Sequence, residues 1–400
     1  MNAVPSQSLG RIAEVQQGYT FKLKYQGQAS GVWPYAKVAD LSAHGNTKYL
    51  RRTFNYVSDD VLQAIGAKLF PAGSIIFPRV GAALRNNNKR VLVQDSLTDD
   101  NVFVITVRDK NVCVPEYLYY WFDFRDLQDF CNSGTVPVIN GSALKKQPVP
   151  LPHIDAQRLI AHLLSEWDRG IEKYDLLIEA KERYKLGSLA SLLSGQSRFS
   201  QFIAPRKRWY LGELFQERVE IGRLDLPLLS ITREEGIIPR GDVGRKDSSS
   251  EDKSKYLRIC PGDIGYNTMR MWQGVSALSR YEGLVSPAYT ICTPGPDIDG
   301  KFASYLFKLP AVVNLFYRYS QGLTSDTWNL KFHHFAEIKV TIPPIDEQMA
   351  IASFLSGLDD ELAVLKKTKE ALVKQKRGLM QKLLTGEWRV TSSNEGIATA

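Results

Sequence analysis

Residues 151–195 read LPHIDAQRLIAHLLSEWDRGIEKYDLLIEAKERYKLGSLASLLSG, and residues 342–386 read IPPIDEQMAIASFLSGLDDELAVLKKTKEALVKQKRGLMQKLLTG. At a constant offset of 191 the two align without a gap, and 16 of 45 positions are identical. The identities include Pro152 and Pro343, Asp155 and Asp346, Gln157 and Gln348, Asp168 and Asp359, Gly187 and Gly378, and Gly195 and Gly386. A match of that length marks an internal repeat, and a repeat decides the architecture before any local feature does.

Each copy predicts one long helix. Asp155 and Asp346 follow a proline-containing segment and suit an N-cap, where a carboxylate accepts from free backbone N–H groups. In the first copy Ile160, Leu164, Trp167, Ile171, Tyr174 and Ile178 step by four and three residues; Ile351, Leu355, Leu358, Leu362 and Leu365 do the same in the second. A 3.5-residue spacing is a coiled-coil seam. Two matched seams in one chain are satisfied most simply by packing on each other. The stripe then degrades, with Lys369 in the place of Ile178 and Lys181 in the place of Leu372. Gly187 and Gly378 weaken each helix before a short leucine-rich tail, and Gly195 and Gly386 suit C-terminal caps. A helix of roughly 33 residues would be about 50 Å long, the dimension of a rigid spacer.

The repeat divides the chain into segments 1–150, 151–205, 206–341, 342–388 and a tail, 389–400. The segments before each helix echo one another. Leu9-Gly10 opens one and Leu211-Gly212 the other. Pro71 to Ile75 and Pro261 to Ile264 each read as a turn feeding an apolar strand. Apolar β-branched runs follow, Val102 to Val107 and Ala288 to Cys292, then aromatic helical stretches, Pro115 to Phe130 and Phe302 to Tyr319. After a loop at Gly134-Thr135 or Gly322-Leu323 comes a last strand. The plan is a tandem duplication of an α+β segment and a helix.

Composition fits this plan. The chain has 400 residues, 44% of them apolar, with a net charge of +8 and four cysteines. Wholesale disorder and a disulfide scaffold are excluded. No apolar run is long enough for a membrane span, and Met1 to Gly10 does not read as a signal peptide, so a cytoplasmic protein is expected. Residues 1–150 hold 17 basic and 12 acidic residues, and residues 206–345 hold 19 and 16. The helical segments are neutral. The +8 therefore sits in the two globular segments, which favours nucleic-acid binding there.

Local clusters supply candidate DNA contacts. Arg85, Asn86, Asn87, Asn88, Lys89 and Arg90 form a basic, turn-prone run of residue types that pair with guanine and adenine edges. The alternative for this run is a flexible hairpin tip. Arg79 and Arg270 each follow the apolar strand, and Arg270, Trp272 and Gln273 mix a cation, an aromatic ring and an amide. Arg206, Lys207 and Arg208 read as phosphate contacts or a solvated linker.

Catalytic motifs are missing. His44, His153, His162, His333 and His334 form no metal spacing, and a strand would send the last two rings to opposite faces. No nucleophile elbow occurs. Residues Gly295 to Lys301 match a phosphate-loop frame, but Phe302 replaces the magnesium-binding hydroxyl and Asp297 and Asp299 would repel phosphate. That segment reads as a turn. Glu-x-Lys fragments of nuclease sites occur at Glu179, Glu251 and Glu337. Only Glu337 with Lys339, on a predicted strand with Asp326 upstream, supports a nuclease reading.

The chain resembles the specificity subunit of type I restriction–modification enzymes over nearly its full length. The resemblance rests on Leu151 to Gln157 and Ile342 to Gln348 opening each helix, on the endings Leu192 to Gly195 and Leu383 to Gly386, and on Gly283 to Tyr289. It implies two tandem target-recognition domains, each reading half of a split DNA site. They are separated by two long helices paired as an antiparallel coiled coil, a pseudo-two-fold internal repeat. It further implies two methyltransferase subunits docked on the helices and, through them, restriction/translocase subunits. S-adenosylmethionine, ATP and magnesium would serve those partners, with no cofactor, metal or catalytic residue in this chain. His153 against Pro344, and Trp167 against Leu358, make the two docking surfaces unequal. A type IIB-like restriction system, a nuclease using Glu337 and Lys339, and a coiled-coil scaffold are the alternatives.

Overall fold

A computed structural model describes residues 4–132, 134, 136–221, 225–232, 235–242, 253–324, 327–390 and 397–399. The chain forms two compact units, one of residues 1–175 with 367–400 and one of residues 176–366. Each unit combines one globular segment with parts of both long helices.

In the first unit a five-stranded sheet runs in the order Ala13–Gln17, Val102–Val107, Ile75–Pro78, Arg90–Leu92, Tyr49–Leu50, antiparallel except for the last pair. The aromatic helix Pro115–Phe124 covers one face, burying Tyr117, Tyr120, Trp121 and Phe122. Pro115 sits at its first position, where no hydrogen-bonding N–H is needed. In the second unit the sheet order is Phe215–Glu217, Tyr289–Pro294, Ile264–Asn267, Ser276–Leu278, with helices Gly300–Leu306 and Pro310–Tyr319 against it. The registers correspond. Ile75 pairs with Ile105 as Ile264 pairs with Cys292.

The echoed Leu-Gly pairs have a packing cause. Each opens a one-turn helix, Leu9–Ile12 or Leu211–Leu214. A Cβ on Gly10 would lie 3.0 Å from the Lys145 Cβ, and one on Gly212 would lie 2.8 Å from the Ala336 Cβ. Only glycine lets these turns pack so closely on the short helices Gly141–Lys145 and Phe332–Ala336.

The long helices run Ile154–Ser194 and Ile345–Leu384, 41 and 40 residues. Both exceed the expected length, because Gly187 and Gly378 lie within unbroken helix. Both also begin one residue before the aspartate, so Asp155 and Asp346 sit in the first turn rather than at the N-cap. There they still complement the helix dipole. Gly195 and Gly386 end the helices with φ of 83° and 80°, the left-handed cap conformation.

The seam holds in part. Ile160 and Leu164 are buried in the first unit with Met380, Leu383 and Leu384. Ile351 and Leu355 are buried in the second with Leu192 and Leu193. Leu358 and Leu362 are buried as well, whereas Trp167, Ile171, Tyr174, Ile178 and Leu365 are half-buried. Where the stripe degrades, ion pairs bridge the helices: Lys369 to Asp175 in the first unit, Lys181 to Glu361 and Lys366 to Glu182 in the second. In the first unit Lys369 meets Asp175 and Lys376 meets Asp168. The numbers rise on one helix as they fall on the other, so the pairing is antiparallel.

Candidate nucleic-acid interface

Each unit joins its globular part to the long helices through the same constellation. In the first, the Tyr120 hydroxyl donates to Asp168 at 2.5 Å and lies 3.0 Å from the Ser165 hydroxyl, while Lys376 pairs with Asp168 at 2.6 Å and Asp123 at 3.1 Å. In the second, the Tyr305 hydroxyl donates to Asp359 at 2.5 Å and lies 3.3 Å from Ser356, and Lys185 pairs with Asp359. Burial works against the Lys376 ammonium, but Asp123 and Asp168 outweigh it and hold its pKa above the usual value. Lys48 is an addition of the first unit, donating to Tyr120 at 2.7 Å and Ser165 at 3.1 Å. Burial lowers its pKa more than Asp168 restores it.

A second repeated contact lies at each helix start. The buried Gln157 amide donates to Pro152 O and Val112 O and accepts from Val114 N. Gln348 donates to Pro343 O and Asp297 O and accepts from Asp299 N. Every polar atom of these amides is engaged, so each fastens a domain loop to the helix. The phosphate-loop-like segment is thereby accounted for as a turn. Asp299 caps helix Gly300–Leu306, accepting from Phe302 N at 2.6 Å.

The candidate DNA contacts divide sharply. Arg85 and Asn86 are exposed on a 3-10 turn, Ala82–Asn86, which lies in the connection between the antiparallel strands Ile75–Pro78 and Arg90–Leu92, so the run does sit at a hairpin end. Asn87 adopts a left-handed φ of 54° and accepts from Leu127 N and Lys89 Nζ. Lys89 is buried and donates to Arg125 O at 2.6 Å, and burial lowers its pKa to about 8. Asn88 bonds Ser42, and Arg90 bonds Lys89 O and Asn88. This half of the run locks the turn onto the end of the aromatic helix.

Arg206 is likewise occupied. Its guanidinium caps the first long helix through Leu192 O and Leu193 O, both at 2.7 Å. It lies 3.7 Å from Glu347, which is fully buried and bonded to Arg198. Residues Lys207–Tyr210 form a strand paired with Lys339–Ile342 and are no linker. Lys207 stacks over Trp209, and Arg208 is exposed. Arg270 and Gln273 are exposed, and half-buried Trp272 packs edge-on against Trp328.

Arg79 stands apart from all of these. It lines a cleft of about 540 Å3 in the first unit together with Gln17, Asn132, Asn140, Ser142 and Lys145. Its Nε, like those of Arg90 and Arg206, is buried without a partner among the described residues, but of the three only Arg79 lines this cleft. The second unit has a cleft of about 690 Å3 at the same place in its fold, walled by Glu217, Thr268, Met269, Lys331 and His333 among others. Burial raises the pKa of Glu217, with His333 opposing.

The nuclease constellation does not assemble. Glu337 is the C-cap of helix Phe332–Ala336 rather than a strand residue, and Lys339 lies 4.5 Å over the Tyr210 ring. Asp326 and Glu251 lie outside the described residues, as does Thr135. His333 and His334 lie on the same short helix with ring centroids 4.0 Å apart, not on a strand. Among the described residues no group of three His, Cys, Asp or Glu side chains could hold a metal, and no helix is long and apolar enough to cross a membrane.

Comparison with known proteins agrees with this organisation. The type I restriction modification DNA specificity domain model matches residues 5–182 and 291–375. Two relatives come from Methanocaldococcus jannaschii. The type I restriction enzyme MjaVIII specificity subunit is 23% identical over 77% of this chain and 81% of its own length. The putative MjaX specificity subunit is 24% identical over 70% of each. Among solved structures, the type I S subunit from M. genitalium matches with a TM-score of 0.56 at 16% identity, covering 95% of this chain and 96% of that one. A chain from a study of complex assembly in the type I restriction–modification system matches at 0.54 and 13%, over 96% and 99%. With two α+β units on repeated long helices and a family model matching both, the chain belongs to the type I restriction–modification DNA specificity subunits, which recognise DNA and do not themselves catalyse.

Proposed function

We propose that this chain reads a bipartite, asymmetric DNA site, one globular segment per half-site, while the long helices dock two methyltransferase subunits and, through them, restriction subunits. The observation that carries this reading is the doubled Tyr–Ser–Asp–Lys joint, which fastens two unlike domains to the helices by one geometry. Like anchoring with unlike reading surfaces suits two different half-sites at a fixed separation, about one helical turn or 34–36 Å. On this reading S-adenosylmethionine, ATP and magnesium are bound by the partners, and the complex works in the cytoplasm.

Leu176, Leu177 and Tyr184 support the docking role, since they are 60%, 44% and 55% exposed on the first long helix. Exposed apolar side chains grouped on one helix suit a contact surface. The test is to map methylated sites in cells expressing the chain with its partner subunits, then to lengthen the spacer of the mapped site by half a turn. Methylation should fall sharply; unchanged methylation would exclude a fixed separation.

A further inference from the structure

The two units carry their own comparison, because positions in one can be matched to positions in the other by backbone hydrogen bonds. Arg79 N donates to Asn101 O and Arg79 O accepts from Ile139 N; Thr268 N donates to Ala288 O and Thr268 O accepts from Leu330 N. Arg79 and Thr268 therefore hold the same place. Sheet register likewise matches Val15 with Glu217, since Val15 pairs with Ile105 and Glu217 with Cys292. Counting on from Ile139 and Leu330 matches Asn140 with Lys331.

At the joints, matched residues are identical: Tyr120 and Tyr305, Asp168 and Asp359, Gln157 and Gln348. In the clefts they are exchanged. Arginine faces threonine, valine faces glutamate, asparagine faces lysine. The duplication has kept the frame and replaced the chemistry of the walls.

Resting on the reading above, we infer that these matched clefts are where each domain determines its half-site, and that Arg79 and Glu217 are specificity-determining residues. The first cleft presents the donors of Arg79 and Lys145 with no carboxylate among the described residues of its wall, which fits guanine O6 and N7. The second sets Glu217 beside Val219 and Met269, which fits a cytosine amino group and a neighbouring thymine methyl. Arg85, exposed on the turn of the first unit, is the contrasting position outside the cleft wall.

The test uses the chain assembled with its methyltransferase subunits and a duplex carrying the mapped bipartite site. Arg79→Ala should weaken binding between about 5-fold and 150-fold, the worth of one bidentate base contact. In that variant, replacing one guanine of the first half-site should cost nothing further, and every position of the second half-site should keep its wild-type cost. Glu217→Ala should do the converse. Equal melting temperatures establish that the variants fold. If Arg79→Ala melts lower, Asn140→Ala and Lys145→Ala decide by the same measurement. Binding by folded Arg79→Ala equal to wild type, or a loss equal on unrelated duplex, overturns the inference, as does a half-site effect confined to Arg85→Ala. A wild-type complex with no bipartite preference would instead overturn the functional reading itself.

Discussion

Tyr120 donates its hydroxyl to Asp168 at 2.5 Å, and Tyr305 repeats that bond to Asp359 at the same distance in the other unit. Tyr120 is fully buried, and its carboxylate partner is held by Lys376. A hydrogen bond to a charged group is worth about 1.5–3 kcal/mol. Tyr120→Phe and Tyr305→Phe should each destabilise their own unit by about that much. Tyr120→Phe should be the more costly because Lys48 loses its acceptor as well. Thermal unfolding of both variants against wild type measures this, and equal stability would remove the joint from the account of how the domains are held.

Gln157 and Gln348 predict a larger effect. Each buried amide satisfies three backbone groups, and alanine leaves all three without it. At about 0.5–1.5 kcal/mol for each of three hydrogen bonds lost, Gln157→Ala and Gln348→Ala should cost up to about 4.5 kcal/mol, more than either tyrosine variant. Hydrogen exchange should show the cause locally. Val114 N–H should lose protection in the first variant and Asp299 N–H in the second.

Much of this was legible in the repeat and some was not, for physical reasons. The two glutamines and two aspartates stand out as identities within the 45-residue match, and so do Ser165 with Ser356 and Lys185 with Lys376. Their tyrosine partners lie outside it, in helices where Tyr117, Tyr119 and Tyr120 are all buried, so spacing alone could not select one. Lys89 and Arg206 misled because a basic run looks solvated in sequence. Only the fold shows that one caps an aromatic helix end and the other a long helix. The unbroken passage through Gly187 and Gly378 was hidden because tertiary pairing overrides a glycine penalty of about 1 kcal/mol.

Lys89 gives a pH signature. Burial lowers its pKa to about 8, below the value near 10.5 that it regains on unfolding. Between these values the unfolded chain binds the extra proton, so this residue makes stability rise with pH. The rise should be about 1.5 kcal/mol between pH 8 and 9.5, because the slope of about 1.4 kcal/mol per unit is only half developed at pH 8. Lys89→Met should lack it. Denaturant unfolding at both pH values in both proteins isolates the term, because raised groups such as Lys376 act in the opposite sense only at higher pH. Parallel changes in the two proteins would mean that Lys89 keeps an ordinary pKa.

Leu177 and Tyr184, seven residues apart, share one face of the first long helix, and Leu176 lies beside them. None belongs to the cores of the unit, so a substitution there changes surface and leaves packing intact. Tyr184→Glu should therefore leave the melting temperature unchanged while placing a charge in any apolar interface, where desolvation makes it costly. Co-purification with the methyltransferase subunit should drop at least tenfold. Tyr184→Phe, which keeps the apolar ring, should retain it. Full retention of the partner by a folded Tyr184→Glu chain would move the docking surface off this face and onto the other face of the helices.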